Sequence, residues 1–283
     1  MRRADTARLL LLAAIWGASF LFNRIAAPVL GPVLTAELRT LIAGIALAAY
    51  FAATGYDPEW RRWGRHYLIV GIFSSAVPFL LWAYAALSLT AGLMAVLNAT
   101  SPMWGALCSA LLLREALNAR RIMGLIIGVV GVVMVSQPAS GPELHYPAIG
   151  AALAAAFCYG LIATYIRRWA GGVPSRGMAV GTQMAAGILL IPFIAAWPPP
   201  AAPTPLVAAS MLALGLVCGA VAYLLYFRLI ADIGATRALT VTYLIPVFGV
   251  LWGVLFLGEA VSATMLAGGA LVVLGTVFVL RNQ

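Results

Sequence analysis

The chain has 283 residues, of which 64% are hydrophobic and only 9% charged, with a mean hydropathy of +1.02. All 17 of its basic side chains are arginines, and against 8 acidic ones they give a formal charge of +9. Soluble domains are only about half apolar, so this composition excludes a water-soluble globule and indicates a chain that faces lipid.

Apolar runs bounded by glycine, proline or charge predict membrane helices at 7–28, 33–53, 67–89, 91–113, 121–136, 147–167, 177–197, 206–231, 236–257 and 262–280. Each approaches the ~17–25 residues a helix needs to cross hydrocarbon, the fifth being short. The strands of a membrane barrel would alternate over about ten residues, and these runs do not. The first run begins within MRRADTARLLLLAAIWGAS, which has the layout of a signal peptide. It continues through SFLFN and has a counterpart later in the chain, so a retained first helix is expected.

The arginines orient this scheme. With the N-terminus inside, 15 of 17 fall on the cytoplasmic side, and the outer loops SQPASGPELHYP and WPPPAAPTP carry none. The positive-inside rule produces that bias, so the basic balance serves topology. No dense basic stripe with stacking aromatics occurs, and no nucleic-acid partner is expected. The fold expected is all-α and integral to the membrane, with ten transmembrane helices and both termini cytoplasmic.

Sliding the chain against itself by 144 residues aligns 71–131 with 215–275, giving 17 identities over 61 positions. Among them are Gly71/Gly215, Pro102/Pro246, Gly105/Gly249, Glu115/Glu259, Gly124/Gly268 and Gly131/Gly275. A shift of 143 pairs Trp16 with Tyr159, Gly17 with Gly160 and Arg24 with Arg167. The chain therefore divides into a five-helix repeat at 1–140 and a second at 141–283. Five is odd, so the second copy is inverted in the bilayer. Inverted repeats characterise many secondary transporters, whose substrate sites lie near the midplane between the halves.

Candidate site residues follow from depth. Trp16 lies about eight residues beyond Arg8, ~12 Å along a helix, too deep for a headgroup anchor. With Phe79, Trp104, Tyr159 and Tyr223 it is a candidate for an aromatic cavity wall. Asn98, Ser101, Thr242 and Tyr243 are candidates for that cavity's polar groups. For each ring, packing or lipid contact is an equally open reading. Trp82 and its mate Tyr226 are expected at the interface. Intramembrane charge is costly and often functional, which singles out Arg24, Glu37 and Arg39. Either Arg24 or Glu37 binds substrate or gates, with a Glu37–Arg24 pair conceivable, or all three snorkel to the outer interface. Pro102 and Pro246 are expected to bend their helices and shape or gate the cavity. Glycines 124, 128, 131, 268 and 275 give close-packing faces, for bundle support or a dimer contact. Glu115 and Glu259 are expected to begin the helix after each turn, where negative charge favours the dipole. Cys108, Cys158 and Cys218 read as small hydrophobes, and no metal, cofactor or catalytic set is expected.

AIWGASFLFNRIA resembles the opening signature of the drug/metabolite transporter superfamily in its ten-span EamA-like branch. LTAGLMAVLNATSPMWGALCSALLLREALNARRIMGLIIGVVGVVMV and IGATRALTVTYLIPVFGVLWGVLFLGEAVSATMLAGGALVVLGTVFV resemble its closing signature, once per half. Arg114 departs from the glycine usual before Glu115, which puts the turn there in question. The resemblance implies a multi-pass exporter in a bacterial inner membrane, acting on amino acids (aromatic and other apolar ones) or related small metabolites by alternating access. A monomer and a homodimer both fit. The alternatives are a drug or nucleotide-sugar carrier of the same superfamily, or an intramembrane enzyme, for which no paired carboxylates or His/Glu metal spacing appear.

Overall fold

The computed structural model describes residues 3–137 and 145–280, and all regular structure within them is helical. The repeat boundary expected at 140/141 lies outside the described residues, as do Arg2 and Arg281 of the orienting arginines. Helix is what lipid demands of such a sequence, because an unpaired backbone amide or carbonyl in hydrocarbon costs several kcal/mol.

The first element, α1 (Arg3–Ala53), has 51 residues. Straight, it would measure ~76 Å at 1.5 Å per residue, far longer than one crossing. It breaks at Gly31 (φ 75°, ψ 160°) between Pro28 and Pro32, where the runs 7–28 and 33–53 meet. A side chain at that φ would be strained, so glycine occupies the break. Next, α2 (Trp60–Gly71) passes through a π-helical stretch, Ile72–Ala76, into α3 (Val77–Ala85). The first half ends with α4 (Ala91–Asn98), α5 (Ser101–Leu113) and α6 (Ala119–Val135). The second brings α7 (Tyr146–Trp169), α8 (Ser175–Ala196) and α9 (Pro205–Leu212). Another π-helical stretch, Ala213–Val221, leads into α10 (Ala222–Ile233). The chain closes with α11 (Ala235–Ala238), α12 (Val241–Leu257) and α13 (Ala263–Leu280). Among the described residues seven helical stretches are long and apolar enough to cross a bilayer, with α12 a shorter apolar helix. Large apolar side chains such as Leu111, Leu206 and Phe256 stand exposed on the outside, the surface lipid would cover.

Every interruption has local hydrogen bonds. Between α4 and α5 the helix breaks at residues 99–100. There the Thr100 hydroxyl donates to the Leu97 carbonyl and the Ser101 hydroxyl to Asn98, each at 2.7 Å. Thr276 of α13 donates to the Ala99 carbonyl at 2.8 Å. Pro102 thus sits in the first turn of α5, where its missing N–H removes no bond. In the second half the break falls at 239–240, about one turn earlier than the 144-residue shift would place it. Thr240 and Thr242 donate there to the Arg237 and Leu239 carbonyls. Pro246 consequently lies inside α12, so the two prolines occupy different places in their helices.

The turns after α5 and α12 match more closely than their sequences suggest. Arg114 adopts the left-handed conformation (φ 56°) that Gly258 adopts (φ 64°) in the second half. The turn survives the loss of glycine, with the backbone strain of a side chain at positive φ. The two glutamates do not begin the next helices, which start at Ala119 and Ala263. Glu259 accepts the amides of Ala91 and Gly92 at 2.7 and 3.2 Å, capping α4 across the bundle. Glu115 pairs with Arg167 at 2.5 Å and with Arg121 at 3.8 Å.

Helix packing repeats in a reciprocal pattern. A Cβ added at Gly17 on α1 would lie 2.9 Å from Gly249 N on α12, while Gly160 on α7 abuts Trp104 and Gly105 on α5. Likewise Gly44 meets Met184 N at 3.0 Å and Gly187 meets Leu41 N at 3.1 Å. On α6 and α13, a Cβ at Gly124 or Gly131 would stand 2.7 Å from the Gly275 or Gly268 carbonyl oxygen. In each case a residue and its counterpart exchange roles. The glycine faces of α6 and α13 are therefore spent on each other, letting backbones approach closely. Gly131→Ala should push α6 and α13 apart and cost about 1–3 kcal/mol. Gly150→Ala, where nothing lies within 4 Å, should be neutral or stabilising. Thermal unfolding of both variants in detergent micelles checks the contrast.

Candidate functional site

A cavity of about 510 Å³ lies at the centre of the bundle, walled by parts of α1, α3, α5, α7, α10 and both helix breaks. Its size suits a small molecule. Of the candidate aromatics, Trp16, Phe79, Tyr159 and Tyr223 line it. So do Asn98, Ser101 and Thr242, with Pro102 beside them. The glycine contacts position these groups: where Gly17 and Gly160 admit α12 and α5, the flanking rings Trp16 and Tyr159 turn inward.

Some candidates are elsewhere. Trp104 packs edge-on against Phe157 of α7 at 5.6 Å, its indole N–H is buried without a partner, and its backbone abuts Gly160 of the same helix. Neither Trp104 nor Tyr243 is on the cavity wall. Trp82 and Tyr226, expected at the interface, are on it: Trp82 is 2% exposed and edge-on to Phe20 at 5.2 Å, and Tyr226 packs on Trp16 at 5.3 Å. Counting residues from the nearest arginine gives depth along a helix but not the direction a ring faces.

The charged candidates also separate. Arg24 makes no pair with Glu37; it donates to the Ala86 and Leu87 carbonyls at 2.6 and 3.1 Å, holding the end of α3. Glu37 is 3% exposed, off the cavity wall, with Oε2 unpartnered. Neither it nor Arg39, at 7% exposed, snorkels to water. Arg39 is instead on the cavity wall, its guanidinium 3.7 Å from the centre of the Phe79 ring. Pro246 is buried and off the cavity wall, next to Ile245 which is on it.

Sequence reasoning passed over Gln183. It donates from Nε2 to Ser75 Oγ at 2.9 Å and to Tyr223 Oη at 3.3 Å, and its Oε1 is buried without a partner beside the cavity. A glutamine in the middle of the apolar run 177–197 was the available signal. Cys218, on the same wall, donates its thiol to the Ile15 carbonyl at 3.2 Å.

The cavity is unequal at its two ends. Arg167, Leu239 and Leu280, at the arginine-rich end, are part of its wall. At the other end Ala85, Ala86, Leu89 and Ala91 are fully or almost fully buried. Among the described residues no three His, Cys, Asp or Glu side chains gather as a metal site.

A bundle of membrane-length helices around a small-molecule cavity defines a multi-pass membrane protein of the transporter class. The chain belongs to the EamA-like transporter family, whose model matches it twice, at residues 7–137 and 146–281. It is 25% identical over 265 residues to the transporter YvbV of Bacillus subtilis (strain 168), covering 93% of this chain and 87% of that one. Protein PecM of Dickeya dadantii (strain 3937) is 26% identical over 261 residues, covering 90% and 84%. A solved crystal structure superposes with a TM-score of 0.66 at 23% identity over 98% of this chain and 96% of the other, sharing the fold.

Ala163→Trp, on the cavity wall and without a side-chain hydrogen bond to lose, should fill the cavity while leaving the fold intact. Transport by the purified variant in liposomes should fall at least tenfold, with its melting temperature within a few degrees of the parent.

Proposed function

We propose that this protein is a secondary transporter that exports amino acids, chiefly aromatic and other apolar ones, or closely related metabolites, across a bacterial inner membrane. It does so by alternating access. Ten spans form two inverted five-helix halves, with both termini on the arginine-rich cytoplasmic side.

The observation that carries this reading is the reciprocal packing around the cavity. A two-fold relation makes residue i touch j while the counterpart of j touches the counterpart of i. Gly17 with Phe248–Gly249 and Gly160 with Trp104–Gly105 follow that rule, as do Gly124 with Gly275 and Gly131 with Gly268. The π-helical stretches support it too, since Ile72–Ala76 shifted by 144 falls within Ala213–Val221. Family matches to each half separately point the same way. A cavity between halves so related can open to either side as one half rocks on the other.

The lining favours a molecule with an apolar body and a polar head. Trp16, Phe20, Phe79 and Trp82 supply apolar faces, and Asn98, Gln183 and Thr242 supply hydrogen bonds. Among the described residues no carboxylate is on the wall to serve as a proton carrier, so movement down the substrate's own gradient is the coupling proposed. Counterflow into liposomes loaded with single amino acids tests the assignment. Exchange of Trp, Phe or Met without an imposed pH gradient is the result expected. Uptake of none of them would remove the amino-acid assignment, and strict dependence on a pH gradient would remove facilitated export.

A further inference from the structure

Arg39 stands out among the cavity residues. It is the one cation deep in the wall, and the acidic residues of the described chain are all absent from that wall. Its Nε is buried with no hydrogen-bond partner, and Phe79 covers one face of the guanidinium. The ionisable groups that act on it electrostatically are Tyr159, Cys218 and Tyr223, residue types that are neutral at pH 7. Glu37, two residues along, points to another side of the helix and stays off the wall. A desolvated guanidinium without an anion is expensive to keep, and a ring on one face leaves its N–H edge for a planar acceptor. A carboxylate meets that edge with two parallel hydrogen bonds. An ammonium group finds only neutral acceptors here, such as Gln183 Oε1 and the Asn98 side chain.

We propose that Arg39 is the anion-binding group of the cavity, and that the transported molecule must carry a carboxylate on an apolar body while its amino group is dispensable. This deepens the export reading above and rests on it for the cavity being the transport site. The test uses purified protein and three probes sharing one ring: 3-phenylpropionate (acid alone), phenylalanine (acid and amine) and phenethylamine (amine alone). Calorimetry should show 3-phenylpropionate binding at least as tightly as phenylalanine and phenethylamine binding at least tenfold more weakly. Arg39→Gln should weaken the acid at least tenfold, with Arg39→Lys between it and the parent. Phenethylamine binding as well as 3-phenylpropionate would overturn the proposal. So would binding of none of the three, or Arg39→Gln holding the acid within twofold of the parent while folded. Binding of 3-phenylpropionate without phenylalanine would sustain the anion site and remove the amino-acid assignment alone.

A separate observation concerns two pairs of charges. Arg24 and Arg167 correspond between the halves, and so do Glu115 and Glu259. At the buried end of the cavity, Arg24 holds the carbonyls of Ala86 and Leu87 while Glu259 holds the amides of Ala91 and Gly92. Together they clamp the α3–α4 turn from both sides. At the arginine-rich end, where Arg167 is on the cavity wall, Arg167 and Glu115 are engaged with each other instead. The corresponding turn there follows α10 at Gly234. Resting on the alternating-access reading, we infer that these charges form a reciprocal latch. On the closed side Arg and Glu clamp the helix turn, and on the open side they pair together. Reversal of the transporter swaps the arrangement: Arg24 joins Glu259 while Arg167 and Glu115 take hold of the α10–α11 turn. Each of these four charges keeps a partner in either state, so the exchange trades one set of polar contacts for another.

Exchanging the charges of a pair preserves the ion pair but ruins the clamp. The reporter is Thr242→Cys in a chain with Cys108, Cys158 and Cys218 replaced by alanine, labelled by a membrane-impermeant maleimide in right-side-out and inside-out vesicles. Arg24→Glu with Glu259→Arg should raise labelling from the arginine-poor face at least tenfold. Arg167→Glu with Glu115→Arg should suppress labelling from that face. The neutral pairs Arg24→Gln/Glu259→Gln and Arg167→Gln/Glu115→Gln, less disruptive to folding, should shift labelling in the same directions by smaller factors. Rates within twofold of the parent on both faces would overturn the latch. A cysteine reached from one face alone in every variant would overturn alternating access along with it.

Discussion

Lipid offers no hydrogen bonds, and this architecture follows from that shortage. Continuous helix satisfies the backbone within a span, so the costly places are the interruptions a cavity requires. Each of these is supplied from nearby. Thr100 and Ser101 take the carbonyls freed before α5, Thr276 reaches across from α13 to Ala99, and Thr240 and Thr242 do the same before α12. Charges add to the hydroxyls at the α3–α4 turn, where Arg24 takes carbonyls at the end of α3 and Glu259 joins Thr90 in capping α4. The polar groups that make breaks tolerable sit beside the space the breaks create. Ser101 and Thr242 therefore serve the helix and the cavity wall together.

Close approach of backbones is the second requirement. Association in lipid gains little from burying apolar surface, so contact distance governs how firmly helices hold. Glycines supply it between α1 and α12, α5 and α7, α1 and α8, and α6 and α13. These contacts flank the cavity and leave its wall to larger rings. One of the groups on that wall is a guanidinium: Arg39 lies over the Phe79 ring, and none of the described acids pairs with it.

The halves correspond in sequence without being alike in detail. The helix break before α12 lies one turn from its counterpart, and the two glutamates have different partners. Such differences accompany the inequality of the cavity's two ends.

Much of this was determined by the sequence alone. Hydropathy settled the membrane class and most helix positions, because twenty apolar residues admit few other fates. The matched proline, glutamate and glycines announced two related halves, and the depth of Trp16 pointed to the cavity. Tertiary structure decided what each side chain faces. A position in an apolar run carries no azimuth when the whole helix is apolar, so Trp82 and Tyr226 read as interfacial and Trp104 as lining. Nor does sequence reveal a partner across the bundle. Chain position assigns Glu259 to the helix after it, yet it serves α4, 168 residues away, and Arg39 joins the cavity wall because α1 packs beside α3. Composition and periodicity act along the chain, whereas a cavity is a relation between chains of contacts that only packing brings together.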